Sequence, residues 1–103
     1  MAIQITGSLL EACVLAVIKE EDAYGYSLTQ NVKQILEISE STLYPVVRRL
    51  QTEGCLETYD KPHNGRNRRY YKITDLGVEK YQTTLREWKE FKENIDKIMK
   101  GAK

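Results

Sequence analysis

The dipeptide Asn64-Gly65 constrains this chain more than any other feature. Both residues tolerate positive φ, so the pair closes a tight hairpin between flanking strands. Residues 55–61 and 68–74 supply those strands, being rich in Leu, Thr, Tyr and Ile, with Pro62 to Asn67 between them. Elsewhere the apolar residues recur at helical rather than alternating spacing. A chain of 103 residues builds one domain with a modest core. The expected fold class is therefore mainly α with a small β-hairpin.

Four helices are expected around that hairpin. The first covers residues 8–19, where Leu9, Leu10, Cys13, Val14, Val17 and Ile18 form a broad apolar face. Ser8 followed by Glu11 reads as a capping box, each side chain satisfying a backbone donor of the other. The second helix covers residues 24–36, with Leu28, Val32 and Ile35 on one side. Gly25 inside it costs about 1 kcal/mol relative to alanine, which points to a close backbone approach. The third covers residues 40–53, capped by Ser39 and Gly54. Leu43, Val46, Val47 and Leu50 face its core side; Ser41, Pro45, Arg48 and Thr52 face outward, flanked by Tyr44 and Arg49. Pro45 lies beyond the first turn, where its ring and missing N–H strain a helix. Either the helix begins near Thr42 or it bends at Pro45.

Three helices and a hairpin make a winged helix-turn-helix, assigned to residues 1–74. Thr74 then caps a long C-terminal helix ending near Met99. Val78, Tyr81, Leu85, Trp88, Ile95 and Met99 form one stripe along it, with Phe91 and Ile98 alongside. So long a helix cannot lay its whole stripe on so small a domain. Residues 75–103 are therefore expected to pack on a second copy as a dimerisation helix, making a homodimer. The alternative is a helix folded back entirely on its own domain.

Charge is distributed unevenly. Residues 1–38 carry two bases against five acids, and residues 39–73 seven bases against four acids. Residues 61–72 hold five bases and no acid. Such concentration suits a polyanion, and phosphate contacts dominate nucleic-acid affinity. In a helix-turn-helix the second helix of the pair enters the major groove. The candidate DNA-contacting residues are Tyr24, Ser39, Ser41, Thr42, Tyr44, Pro45, Arg48, Arg49, Lys61, Asn64, Gly65, Arg66 and Arg68. Arginine is the commonest reader of guanine, hydroxyls donate to phosphate or base edges, and the wing tip follows the backbone or enters the minor groove. Tyr44 and Tyr70 have a plainer alternative, as cover for the core edge.

Other chemistry is absent from the pattern. Two cysteines, Cys13 and Cys55, and one histidine, His63, do not make the ligand spacing of a structural zinc site. The thiols read as small buried hydrophobes, with a redox sensor as the alternative. Neither a metal nor a cofactor is expected. No nucleophile–base pair or carboxylate dyad marks an enzyme. The chain has no apolar run near 18 residues and no signal-peptide pattern, so no membrane partner is expected and the cytoplasm is the default compartment.

Three ordered motifs resemble a known family. Tyr24-Gly25-Tyr26-Ser27-Leu28 is similar to the Tyr-Gly-Tyr-x-Leu signature of PadR-like regulators. The stretch from Ser41 to Leu50, followed by Glu53-Gly54, resembles their recognition-helix block. Residues 65–74, followed by Gly77, are similar to their wing and the start of their last helix. The length resembles the short branch, which keeps one C-terminal helix. This resemblance implies a homodimeric repressor on an inverted-repeat operator of double-stranded DNA, with Pro45 tolerated inside the helix. Some short-branch members admit flat aromatic or cationic molecules at the dimer interface beside a tryptophan. By that resemblance Ala12, Leu85 and Trp88 are candidate effector-binding residues; otherwise Trp88 is dimer core. The competing reading is a winged-helix protein-interaction module that no longer binds DNA.

Overall fold

The structure, a computed structural model, describes Ile5 and residues 7–101. The N-terminal stretch read for a signal peptide lies largely outside the described residues, as do Ala102 and Lys103 of the expected last helix. The chain runs α1 (Gly7–Glu20), β1 (Ala23–Tyr24), α2 (Gly25–Ile35), α3 (Glu40–Thr52), β2 (Leu56–His63), β3 (Arg66–Ile73) and α4 (Asp75–Met99). This is the winged helix-turn-helix with a long last helix, mainly α with a small sheet.

Helix α1 is the hub. Leu10, Val14, Leu15 and Ile18 are buried on it and meet Leu28 and Val32 of α2 and Leu43, Val46, Val47 and Leu50 of α3. The expected capping box is replaced. The helix starts at Gly7, and the Glu11 carboxylate is buried between Arg49 and Lys80 rather than turned to the N-terminus. Two cationic partners on other helices offer a buried carboxylate more than one backbone donor does.

Helix α2 is one residue shorter at each end than expected. Tyr24 belongs to β1, which adds a third strand in the order β1-β3-β2. Two residues carry no periodicity, so sequence alone showed only the hairpin. Ile35 was expected on the core side, yet it is 80% exposed. Leu36 and Ile38, in the turn that follows, pack on the core in its place.

The ends of α3 are sharply defined. The Ser39 hydroxyl accepts from the Thr42 N–H at 3.3 Å. At the other end Cys55 N–H reaches Leu50 O at 2.8 Å and Gly54 N–H reaches Gln51 O at 3.1 Å. With Gly54 at φ +81°, these bonds form a Schellman motif. The helix begins at Glu40 and continues through Pro45, so the later start near Thr42 does not occur.

Asn64 (φ 52°) and Gly65 (φ 77°) close the hairpin as a two-residue turn, and the strands reach it from both sides, from Leu56↔Ile73 to His63↔Arg66. The ladder is therefore longer than expected and takes in Pro62 and Asn67. Proline is tolerated there because β2 is an edge strand. Thr74 caps α4, its hydroxyl accepting from Gly77 N–H at 3.1 Å and donating to Gly54 O at 2.6 Å. The first turns of α4 pack on α1 and on the end of β3; Gly77, against Cys55 and Ile73, and Thr84 are buried. Among the described residues no helix is long and apolar enough to cross a membrane.

Candidate nucleic-acid interface

Helix α3 separates its two faces cleanly. Leu43, Val46, Val47 and Leu50 are buried, while Ser41, Thr42, Tyr44, Pro45 and Arg48 are exposed. Ser39 Oγ lies 2.9 Å from Ser41 Oγ and 3.0 Å from Thr42 Oγ1. Three hydroxyls thus cluster on the N-terminal end of the helix, where free backbone N–H groups favour an anion. Arg48 stands two turns further along the same side.

Arg49 behaves differently from Arg48. Expected to flank the outward face, it turns its Nε onto Glu11 Oε2 at 2.7 Å. Glu11 feels opposing influences. Burial alone raises a carboxyl, but hydrogen bonds and charge from Arg49 and Lys80 outweigh it and hold Glu11 below its ordinary value. Arg49 is raised in turn by its bond to Glu11.

The wing carries the second cationic patch. Lys61, Asn64, Gly65 and Arg66 are exposed at its tip. Lys61 and Arg68 stand directly opposite each other across the ladder, an arrangement that repels unless something negative or polarisable intervenes. Aromatic rings intervene here. The Arg68 guanidinium lies over Tyr24 at 4.4 Å and Lys61 Nζ over Tyr70 at 5.7 Å. Tyr70 stacks on Tyr59 at 5.5 Å and meets Tyr24 edge-on at 5.8 Å. The Tyr59 hydroxyl donates to Asp22 at 2.7 Å, and that bond keeps the phenol protonated to higher pH. One tyrosine rack therefore joins the wing to the start of α2. Tyr24 and Arg68 are half-buried in it, and nothing in the spacing of the sequence announced the pairing. Arg69 faces Asp60 at 3.8 Å.

The remaining candidates lie on the opposite side of α1. Ala12, Leu85 and Trp88 come together, with Leu9, Tyr81 and Phe91, around an apolar cavity of about 550 Å³ between α1 and α4. Cys13 also lines it, and burial raises its thiol, as it does that of Cys55. Val78, Tyr81 and Leu85 are half-buried, whereas Trp88, Ile95 and Met99 are exposed. Among the described residues no three His, Cys, Asp or Glu side chains are grouped to hold a metal ion.

Known proteins resemble the chain in sequence and in fold. Residues 14–83 match the model of the transcriptional regulator PadR-like family. An uncharacterised protein of Lysinibacillus sphaericus is 37% identical over 97 residues, 89% of each chain. A Streptococcus mutans crystal structure superposes at TM-score 0.90 and 39% identity, covering 100% of this chain and 97% of that one. A PadR-like transcriptional regulator from Bacillus cereus superposes at TM-score 0.81 and 31% identity, covering 88% and 91%. The family match spans the second half of α1, α2, α3, the wing and the first turns of α4, and ends before Trp88.

Proposed function

The chain belongs to the PadR-like family of transcriptional regulators, and on that premise we propose that it is a homodimeric repressor of an inverted-repeat operator. Members of the family are DNA-binding regulators rather than enzymes. In this reading residues 1–74 bind DNA, residues 75–103 dimerise, and the protein works in the cytoplasm, where its operator is.

The observation that carries the proposal is the outward face of α3. It presents three clustered hydroxyls at the helix N-terminus and Arg48 beyond them, with Tyr44 and Pro45 between. Ser39, Ser41 and Thr42 anchor the helix on a phosphate or base edge, and Arg48 reads a base. Lys61, Asn64, Gly65 and Arg66 bring the wing tip to the backbone, while Arg68 and Tyr24 orient it. Arg49 drops out of the contacting set because its Nε is given to Glu11.

Two copies joined through Val78, Tyr81, Leu85, Trp88, Ile95 and Met99 place two reading helices on one duplex. The apolar cavity bearing Ala12, Leu85 and Trp88 opens beside that seam. A flat aromatic or cationic effector held there releases the operator by changing how the two copies meet.

Pull-down of genomic fragments by the purified protein, followed by footprinting, tests the proposal. Two protected half-sites about one helical turn apart are expected. Recovery without sequence enrichment overturns it. On the enriched site, Arg48→Ala should weaken binding by about 1–3 kcal/mol and leave random DNA nearly unaffected.

A further inference from the structure

Glu11 is only 5% exposed, and each of its oxygens faces a base from a different helix. Oε2 takes Arg49 Nε of α3 at 2.7 Å, and Oε1 meets Lys80 Nζ of α4 at 3.0 Å. Lys80 also reaches Oε1 of Glu53, the residue that caps α3, at 3.0 Å. Two acids and two bases thus link α1, α3 and α4 without net charge. Packing does not account for this arrangement. An apolar side chain of similar volume commonly serves stability as well as a buried ion pair, or better. An ion pair contributes direction instead, because a carboxylate fixes where a guanidinium points.

The direction matters because of where Arg49 sits. It follows Arg48 on the reading helix, about 100° further round, and its side chain is still 46% exposed. Released from α1, its guanidinium is free to turn to the nearest phosphate. A phosphate contact raises affinity for every sequence alike and adds nothing to discrimination.

We propose that Glu11 is a specificity-determining positioning residue: by holding Arg49 on α1, it keeps a sequence-blind cation out of the DNA interface. The inference rests on the reading of α3 as the DNA-facing helix. Glu11 itself touches no DNA and acts through Arg49, with Lys80 balancing its second oxygen.

The test uses the full-length protein and its Glu11→Gln, Arg49→Gln and doubly substituted variants. Each is titrated over a salt series on random duplex and on the footprinted operator. Glu11→Gln should bind random DNA roughly threefold more tightly or better, with a salt slope steeper by about 0.9 per released arginine. The operator-to-random ratio falls accordingly. Arg49→Gln alone should keep the wild-type slope, and the double variant should return to it. An unchanged slope in Glu11→Gln, with equal weakening on both DNAs and a lower Tm, reduces Glu11 to a structural residue and overturns the inference. A shallower slope in Arg49→Gln also overturns it, since Arg49 would then already touch phosphate in the wild type. That second variant decides the matter by itself if Glu11→Gln does not fold. Wild-type protein lacking salt-dependent DNA binding strikes the DNA-facing reading first and this inference with it, whereas the other two outcomes strike the inference alone.

Discussion

The two halves of α4 carry one apolar stripe at one spacing and meet opposite fates. In the first half Gly77 and Thr84 are buried and Tyr81 and Leu85 half-buried, all against α1 or the start of the sheet. In the second half Trp88, Phe91 and Ile95 are exposed, and Ile98 and Met99 are 76% and 80% exposed. Residue type does not separate the halves; reach does. The helix is about 37 Å long at ~1.5 Å per residue, and the molecule measures 60 × 28 × 20 Å, so the distal turns extend beyond the rest of the domain. Periodicity thus identifies an interface face without saying whose surface completes it. The exposed distal face supports the proposed pairing with a second copy, and the buried proximal face anchors the helix to the domain that reads DNA.

The comparison is most exposed to a test in the distal half. Ile95→Glu should raise the dimer dissociation constant by about two to four powers of ten, because each lost isoleucine burial counts twice across a two-fold axis. Sedimentation equilibrium measures it, and unchanged association would leave the distal stripe without the proposed role. The proximal half is probed next by Gly77→Ala. A Cβ there would collide with the Cys55 carbonyl oxygen and come within 2.7 Å of Ile73 Cγ1. The expected loss is about 2 kcal/mol, or about 10 °C in Tm by calorimetry. A neutral result would mean that α4 is not seated closely on the sheet.

Thr74→Ala removes the cap of α4 and the bond to Gly54 O together. It should cost about 1 kcal/mol in denaturant titration and leave the self-association of folded protein intact, separating anchoring from pairing. The gentlest perturbation is acid. Glu11 is held below its ordinary value of 4.5 by Arg49 and Lys80, so its contribution is complete above that pH. It is lost progressively as pH falls through the lowered folded value. The acid limb of a pH–stability profile should therefore flatten in Arg49→Gln, where one counter-charge is gone. An identical limb would remove Glu11 from the linkage.

Much of the site could be read from the chain because it rests on local rules. The Ser39 cap, the Gly54 stop and the Asn64-Gly65 turn each depend on a few consecutive residues, and the division of α3 into core and outward faces depends only on helical pitch. The errors share one origin. Ser8-Glu11 satisfied a local capping pattern, but Glu11 met Arg49 and Lys80, 38 and 69 residues away in the chain. Ile35 kept helical phase with Leu28 and Val32, but α2 ended at it, and Leu36 and Ile38 took the place on the core. Arg49 is exposed like Arg48, but its Nε is held by Glu11, a contact that no local rule announces.

The amino-acid order alone set the four helices, the hairpin and the concentration of bases on the third helix and wing, since pitch, caps and turns are short-range preferences of the backbone. Tertiary contact alone decided the two-residue third strand, the tyrosine rack that carries Arg68 and Lys61, and the pairing of Arg49 with Glu11. Each of those joins residues distant in the chain, and a buried charge or ring takes its orientation from whichever partner the packed elements bring within reach.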